Sequence, residues 1–273
     1  MKKARTIFDP EPEPIVDPEP EPIVDDVSDD ITNYIYWRKW ATPIFQVENI
    51  NHNTELLTEE SLRWGIDAVD LGGGLFTDRD TSSRVGTSIK SGIYESSFQF
   101  FTEAESRGDC PELVKLRFWM MNTFRSVFFS YFFEEGNCIE VDGKGDIEEK
   151  GITVDDIIVE FDQTWLHITR DGGCHGAHTH PMFSWALLYY INIGESTLTN
   201  GCNIFHSPQD TEYVEFGHFY RTRSVFSIAP VDGKMICFPA DLSHAANVYR
   251  TSTDTPRLVV AGNVRVHCNK YDI

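Results

Sequence analysis

From residue 157 onward the sequence breaks into short β-prone segments, and this pattern constrains the fold more than any other feature of the chain. The segments are rich in β-branched and aromatic residues and are separated by Gly, Pro, Asn and Asp. They cover Ile157–Phe161, Trp165–Thr169, Trp185–Ile193, Asn203–Phe205, Val225–Ile228, Lys234–Phe238 and Arg257–Val266. Short strands at this spacing are typical of an antiparallel sandwich or barrel. We therefore predict a mainly β fold of the jelly-roll type, with Pro230–Gly233 as a hairpin turn.

The part of the chain before residue 157 predicts helices that pack on this β structure. Apolar residues recur at helical spacing over Pro111–Glu135, with Pro111 at a position that suits a first helical residue. The stripe of aromatic residues is broad, so the helix should be largely buried against a sheet. A second helix is expected to begin with Thr58 as its cap. The Gly-, Ser-, Thr- and Asp-rich residues 67–97 predict a flexible loop.

An acidic repeat forms the N-terminus. Residues 9–24 are the octad Asp-Pro-Glu-Pro-Glu-Pro-Ile-Val written twice, and residues 1–33 have ten acidic and three basic side chains, a net charge of −7. Alternating proline and like charges oppose a folded core, so we predict a disordered tether over 1–33 and one domain over 34–273. The tether is either a solvated spacer or a docking arm for a basic partner.

Charge and cysteine usage limit the classes of function. The net charge is −20, which leaves −13 for residues 34–273 and argues against nucleic acid or an anionic membrane as a partner. No apolar run approaches the length of a membrane-spanning helix. Six cysteines are spread singly, as expected of reduced thiols. These features predict a cytoplasmic protein.

Histidines provide the candidate metal ligands. His175, His178 and His180 lie within six residues, and on an extended segment the imidazoles of His178 and His180 would project from one face. A third candidate, His244, follows a later strand, and Arg257 opens the last one. Two ligands from one strand and its loop, a distal histidine and a guanidinium able to hold a carboxylate indicate a metal site with an anionic co-ligand. Alternatively, Arg257 pairs with Asp254 on the surface.

The same residues resemble a known family. The motifs concerned are Thr42-Pro-Ile44, His178-Thr-His-Pro181, Tyr189-Tyr-Ile-Asn192, Gly201, Pro208, Pro230-Val-Asp-Gly233, Phe238-Pro239, Leu242-Ser-His244, Arg257 and Asn263. In this order they are similar to the 2-oxoglutarate and Fe(II)-dependent oxygenases of bacteria and marine phages. The resemblance covers roughly residues 41–267, and its C-terminal half is the more specific.

The resemblance implies a cupin-like double-stranded β-helix that holds Fe(II) through His178, His180 and His244. It implies that 2-oxoglutarate is the co-substrate, with its far carboxylate on Arg257. Tyr190 and Asn263 are further candidates for contact with the co-substrate; alternatively, Tyr190 is an aromatic core residue and Asn263 bonds only to the backbone. With O2 such an enzyme, most simply a hydroxylase, would produce succinate and carbon dioxide while it oxidises a small molecule or a side chain. No catalytic residue beyond the metal ligands is expected.

One position departs from the usual pattern of the wider superfamily, which has a carboxylate where this chain has His180. His180 is then either the third ligand of a three-histidine centre or an outer residue, or His175 replaces it; Asp162, Asp171 and Asp241 are further carboxylate candidates. Two other functions remain: a three-histidine dioxygenase that does not use 2-oxoglutarate, and a non-catalytic jelly-roll module that binds a metal such as zinc.

Overall fold

The structure is a computed structural model, and it describes residues 34–39, 42–70, 76–77, 93–134, 151–208, 213–215, 218–220 and 225–269. The acidic repeat, the Gly72–Gly74 run and Cys138 lie outside these residues. The strands are β1 Tyr34–Lys39, β2 Thr42–Glu48, β3 Phe76–Thr77, β4 Ile93–Ser96, β5 Ile157–Thr169, β6 His175–His178, β7 Trp185–Asn192, β8 Asn203–His206, β9 Tyr213–Glu215, β10 His218–Tyr220, β11 Val225–Ile228, β12 Lys234–Pro239, β13 His244–Ala246 and β14 Arg257–Cys268. The helices are α1 Thr54–Asp70, α2 Phe100–Arg107 and α3 Pro111–Phe129, and a π-helical turn over Ser130–Glu134 continues α3.

Two antiparallel sheets contain twelve of these strands, and β9 and β10 pair with each other in a separate two-stranded sheet. The large sheet has the order β1-β2-β12-β7-β14-β5-β4-β3, and the small sheet has the order β11-β8-β13-β6. The crossovers place strands that are distant in sequence side by side, as β14 lies between β5 and β7. This arrangement confirms the mainly β jelly-roll fold.

The large sheet is buried on both faces, which explains the continuous apolar strands at its centre. In β7, Leu187, Tyr189 and Ile191 belong to a core shared with the helices. The alternate residues Ala186, Leu188 and Tyr190 belong to a second core, which includes Phe205 and Leu242 on the side of the small sheet. Alternation along the strand therefore creates three layers: helices, large sheet and small sheet.

Helix α3 matches the prediction in position and burial. It begins at Pro111, and its buried face, which includes Leu116, Met120 and Phe124, packs in the helix-side core. The predicted start of α1 at Thr58 is wrong, because the helix begins at Thr54. Asn53 supplies the cap instead, since its Oδ1 accepts a hydrogen bond from the Leu56 backbone N–H at 3.1 Å.

The flexible loop predicted over residues 67–97 is wrong at its start, where α1 continues to Asp70, and at β3 and β4, which belong to the large sheet. The predicted hairpin at Pro230–Gly233 is also wrong, because β11 belongs to the small sheet and β12 to the large one. The turn is nevertheless tight. Gly233 has a φ of +83°, and a Cβ there would lie 2.8 Å from His52 Cβ, so only glycine fits without displacement.

The described cysteines, Cys110, Cys174, Cys202, Cys237 and Cys268, are free thiols. Among the described residues, no helix has the length and apolar character needed to span a membrane.

Candidate metal centre

The small sheet brings His178 and His244 together. They are directly opposite each other across the β6–β13 pair, although 66 positions separate them in the sequence. His180 lies two residues beyond β6, where its backbone N–H donates to Ala240 O at 2.8 Å. The loop after β12 therefore holds the third histidine against the first two.

The three histidines are spaced as metal ligands. One ring nitrogen from each lies within 4.8 Å of the others, and His180 Nε2 is 3.2 Å from His244 Nε2. Two nitrogens at about 2.1 Å from one ion would be about 3.0–3.4 Å apart. The spacing and the donor set therefore fit a divalent transition metal such as Fe(II).

Backbone carbonyl groups orient two of the rings. Nδ1 of His178 lies 2.9 Å from Gly176 O, and Nδ1 of His244 lies 2.9 Å from Leu242 O. Because a carbonyl oxygen only accepts, each Nδ1 carries the proton and each Nε2 keeps its lone pair. Outer hydrogen bonds of this kind fix the tautomer of metal-binding histidines.

Burial favours the neutral imidazoles that a metal requires. Desolvation lowers the pKa of His178, lowers the pKa of His180 to about 4, and lowers the pKa of His244 well below its usual value. Repulsion between neighbouring imidazolium charges acts in the same direction at His180 and His244. Near neutral pH, protons therefore compete little with a metal for these nitrogens.

Asn263 supports the third ring from β14. Its Nδ2 donates to Gln163 Oε1 at 3.0 Å, which fixes the orientation of the amide and leaves Oδ1 as the free acceptor. The nearby side chain of Asn263 raises the pKa of His180, against the effect of burial. Although that contact falls short of full hydrogen-bond geometry, Oδ1 is the natural outer partner for His180.

Arg257 lines the same cavity as the three histidines. The other walls of this cavity are mainly apolar and include Leu188, Val259 and Ala261. Arg257 is only 2% exposed, so its predicted alternative as a surface partner of Asp254 is wrong. Its Nη2 donates to Asn203 Oδ1 at 2.8 Å, whereas its buried Nε has no hydrogen-bond partner among the described residues.

Two neighbours hold the guanidinium in place. Tyr190 is fully buried, donates from its hydroxyl to Asn203 Oδ1 at 2.6 Å, and places its ring 5.3 Å from Arg257 Cζ. Desolvation by burial lowers the pKa of Arg257, because the charged form is less stable away from water. A bound anion would stabilise this buried positive charge. The unpaired Nε and the apolar walls fit the far carboxylate of a dicarboxylic co-substrate.

A second, more open pocket of about 800 Å³ gives access to the histidines from outside. Its walls include the aromatic side chains of Phe98, Trp165 and Phe183. Trp165 stacks on His180, with ring centroids 5.7 Å apart. This pocket is large enough for a substrate beside the metal centre.

The carboxylate candidates do not join the centre. Asp162, Asp171 and Asp241 are all exposed, and the first two form ion pairs with surface arginines. His175 is close to His178, with ring centroids 4.1 Å apart, but its ring nitrogen groups with Glu95 and His167 instead. The sequence analysis missed Glu95, His167 and Asn203. No local motif marks these residues, because strand pairing alone brings them to the site.

A family model matches the part of the chain that contains the three histidines and Arg257. Residues 163–263 match the model of a family described as "Putative 2OG-Fe(II) oxygenase". The search of curated proteins returned no match.

Solved structures of such enzymes show distant likeness. A prolyl-4-hydroxylase from Pseudomonas putida is 12% identical over 82% of this chain and 93% of its own, with a TM-score of 0.44. A prolyl hydroxylase from Trichoplax adhaerens, solved with a peptide fragment of the hypoxia inducible factor oxygen degradation domain, is 12% identical over 81% and 83%, with a TM-score of 0.46. An oxidoreductase of the 2OG-Fe(II) oxygenase family from Burkholderia pseudomallei is 14% identical, with a TM-score of 0.30. The match covers 40% of this chain and 45% of that protein, so this chain spans less than half of its length.

Because every one of these TM-scores is below 0.5, the assignment depends on the family match. The matched segment contains His178, His180, His244 and Arg257. Residues 163–263 of this chain are therefore similar to the family described as putative 2OG-Fe(II) oxygenases.

Proposed function

We propose that the protein is an Fe(II)- and 2-oxoglutarate-dependent oxygenase, most simply a hydroxylase, with His178, His180 and His244 as the metal ligands. The observation that carries this proposal is Arg257, a buried cation whose Nε has no hydrogen-bond partner in the part of the chain that the structure describes and which shares one cavity with the three histidines. A site built only to bind a metal has no need of a buried cation in the same cavity.

The bound iron and 2-oxoglutarate would supply the oxidising chemistry, in which O2 and 2-oxoglutarate yield succinate, carbon dioxide and an oxidised substrate. The protein's own contribution is placement. Arg257 would donate to the far carboxylate of the co-substrate, with Tyr190 and Asn203 holding the guanidinium rigid. The apolar walls of the cavity that Arg257 shares with the histidines would exclude water, and the substrate would enter from the aromatic outer pocket.

The test is production of succinate from 2-oxoglutarate by iron-loaded protein under oxygen, first without a substrate. We expect slow turnover in the wild type. Arg257→Ala should raise the KM for 2-oxoglutarate by about 100-fold, because it removes two charge-assisted hydrogen bonds. Arg250→Ala, which changes an exposed arginine, is the matched control and should behave as the wild type.

Two outcomes would contradict the proposal. Absence of succinate at full iron occupancy would leave a metal-binding module without this activity, and unchanged turnover in His244→Ala would exclude the proposed ligand set. The three-histidine donor set favours one second candidate, a dioxygenase that does not use 2-oxoglutarate. In that case Arg257→Ala would leave oxygen consumption unchanged.

The proposal also covers the class of substrate, the location in the cell and a partner of the N-terminal arm. The outer pocket suits a small molecule or an extended side chain, and the net charge of −20 disfavours nucleic acid. Free thiols at the five described cysteines support a cytoplasmic location, with the acidic N-terminal arm as a docking segment for a basic partner.

A further inference from the structure

Beside the three histidines lies a second group of side chains with the chemistry of metal ligands. Glu95 on β4 is the direct cross-strand neighbour of His167 on β5, and His175 begins β6. One ligand atom from each lies within 4.8 Å of the others. We call these three residues the auxiliary cluster.

The auxiliary cluster is buried. Glu95 is 3% exposed and His167 is 9% exposed, and Glu95 and His175 both line the outer pocket. Burial and the neighbouring imidazoles lower the pKa of His175, which favours the neutral ring. Because Glu95 is buried and also lines the outer pocket, a cation can reach its carboxylate from that pocket.

Hydrogen-bond geometry shows where a cation would be bound. Trp165 Nε1 lies 2.9 Å from His167 Nε2, and because an indole N–H only donates, His167 Nε2 must present its lone pair. Glu95 Oε2 lies 3.2 Å from the same nitrogen. Two electron-rich atoms therefore face each other at short distance, an arrangement that a cation between them would stabilise.

The alternative is a protonated His167 paired with Glu95. In that state Nε2 would donate to the carboxylate, and the Trp165 indole N–H would lose this acceptor, as it would if Nε2 bound a metal. The two states differ in their partners: a proton on Nε2 links only His167 and Glu95, whereas one metal ion engages Glu95, His167 and His175 together. Two imidazoles and one carboxylate form a donor set that suits Fe(II), Mn(II), Co(II) and Zn(II).

We propose that Glu95, His167 and His175 bind a second divalent transition-metal ion, next to the ion held by His178, His180 and His244. The auxiliary cluster supplies the carboxylate that the three-histidine centre lacks. It does so from β4, a strand that lies outside the segment matched by the family. The inference goes beyond the proposed reaction and does not require it.

The experiment counts metal ions. Metal-free full-length protein is titrated with cobalt(II) alone at neutral pH without oxygen, and native mass spectrometry gives the number of ions bound per chain. Visible absorption of the bound cobalt reports each coordination environment. We expect two ions in the wild type, one in Glu95→Gln and one in His244→Ala. The affinity of the lost ion in each variant should fall at least 100-fold, since changes even to outer partners of a metal cost about 10–100-fold.

Glu160→Gln is the matched control. Glu160 and His267 form an exposed carboxylate–imidazole pair at 3.8 Å, so this variant measures the contribution of surface binding. It should bind two ions. His175→Ala, at a partly exposed position, is a second variant at the auxiliary cluster, and circular dichroism verifies that both variants at the cluster are folded.

One ion per chain in the saturated wild type would overturn the inference, as would two ions in folded Glu95→Gln or His175→Ala. Loss of one ion in Glu160→Gln would also overturn it, because the second ion would then be bound at the surface. His244→Ala separates the two proposals: if it still binds two ions, the three-histidine assignment fails, whereas the auxiliary cluster is judged by Glu95→Gln and His175→Ala.

Discussion

A neutral imidazole at position 180 changes the charge of the proposed centre. Three histidines leave the full charge of a divalent ion uncompensated, whereas a carboxylate would remove one unit. The more positive centre should favour anionic co-ligands, and Arg257 in the same cavity acts in the same direction. This cavity is therefore matched to a dicarboxylate.

The first prediction tests His180 as a ligand. His180→Ala should weaken cobalt(II) binding at the three-histidine centre by at least 100-fold, because loss of a direct ligand should exceed the cost of about 10–100-fold seen for outer partners. The measurement is a competitive titration against a chelator of known affinity. His267→Ala, at an exposed histidine, should show no change. A loss of less than about threefold in His180→Ala would make His180 an outer residue.

The second prediction tests whether Asn263 orients the His180 ring. Its buried Oδ1 faces His180, so Asn263→Leu should weaken metal binding by about 10–100-fold without removing a ligand. Asn263→Asp keeps an acceptor at the same place and should restore the affinity. If both variants lose affinity equally, the effect of Asn263 is on packing and not on the orientation of His180. Its predicted contact with 2-oxoglutarate stays a prediction.

The residues that the sequence predicted and those that it missed differ in their physical basis. His178, His180 and His244 could be found because they are chemically distinctive, and two of them are close in sequence. Glu95 could not, because its role depends on the pairing of β4 with β5 across about seventy residues. Asn203 was missed for a similar reason: it holds both Tyr190 and Arg257, and neither contact is local in the sequence.

At the scale of elements, length and hydrophobicity decided which strands could be predicted. The long apolar strands β7, β12 and β14 match their predicted segments closely, whereas β5 joins two segments that were predicted as separate strands. Strands β6 and β13 were missed because they have only four and three residues, mostly His, Gly and Ala, with no alternation to read. These two short strands are the ones that carry His178 and His244. The secondary structure was therefore hardest to predict at the two strands that hold the proposed metal ligands.

The third prediction concerns two loops near Arg257, one that follows β7 and one that precedes β14. Glu195, after β7, accepts hydrogen bonds from the backbone N–H of Ser252 and from the hydroxyls of Thr251 and Thr253, before β14. The backbone hydrogen bond from Ser252, followed by those from the hydroxyls, lowers the pKa of Glu195 to about 2. The carboxylate therefore ties these loops together while it is ionised.

Because the folded pKa is lowered, the stabilisation is complete above the unfolded pKa of about 4.3 and is lost as the pH falls to about 2. Glu195→Gln should lower the Tm at pH 7, and the difference from the wild type should shrink through this range. Thermal melts followed by circular dichroism at a series of pH values measure the effect. A constant difference down to pH 2 would show that the charge of Glu195 is not the cause.

At the scale of the whole molecule, the two hydrophobic cores have different roles: both stabilise the fold, but only one lies against the metal centre. The core between helices and large sheet contains Phe124, whereas the core between the two sheets contains Phe238 and is continuous with the metal centre. Phe238 packs on His244, with ring centroids 4.6 Å apart, and Phe124 packs on Trp185 at 5.5 Å. Both phenylalanines are fully buried, so they form a matched pair.

The fourth prediction uses this pair. Phe124→Leu and Phe238→Leu should each lower the free energy of unfolding of the metal-free protein by about 1–2 kcal/mol, because each leaves a small cavity in a close-packed core. Only Phe238→Leu should also weaken cobalt(II) binding, since it releases the His244 ring. Metal should therefore raise the Tm of Phe124→Leu as much as that of the wild type, and that of Phe238→Leu less. Equal metal-induced shifts in all three proteins would show that the metal centre does not depend on the core beneath it.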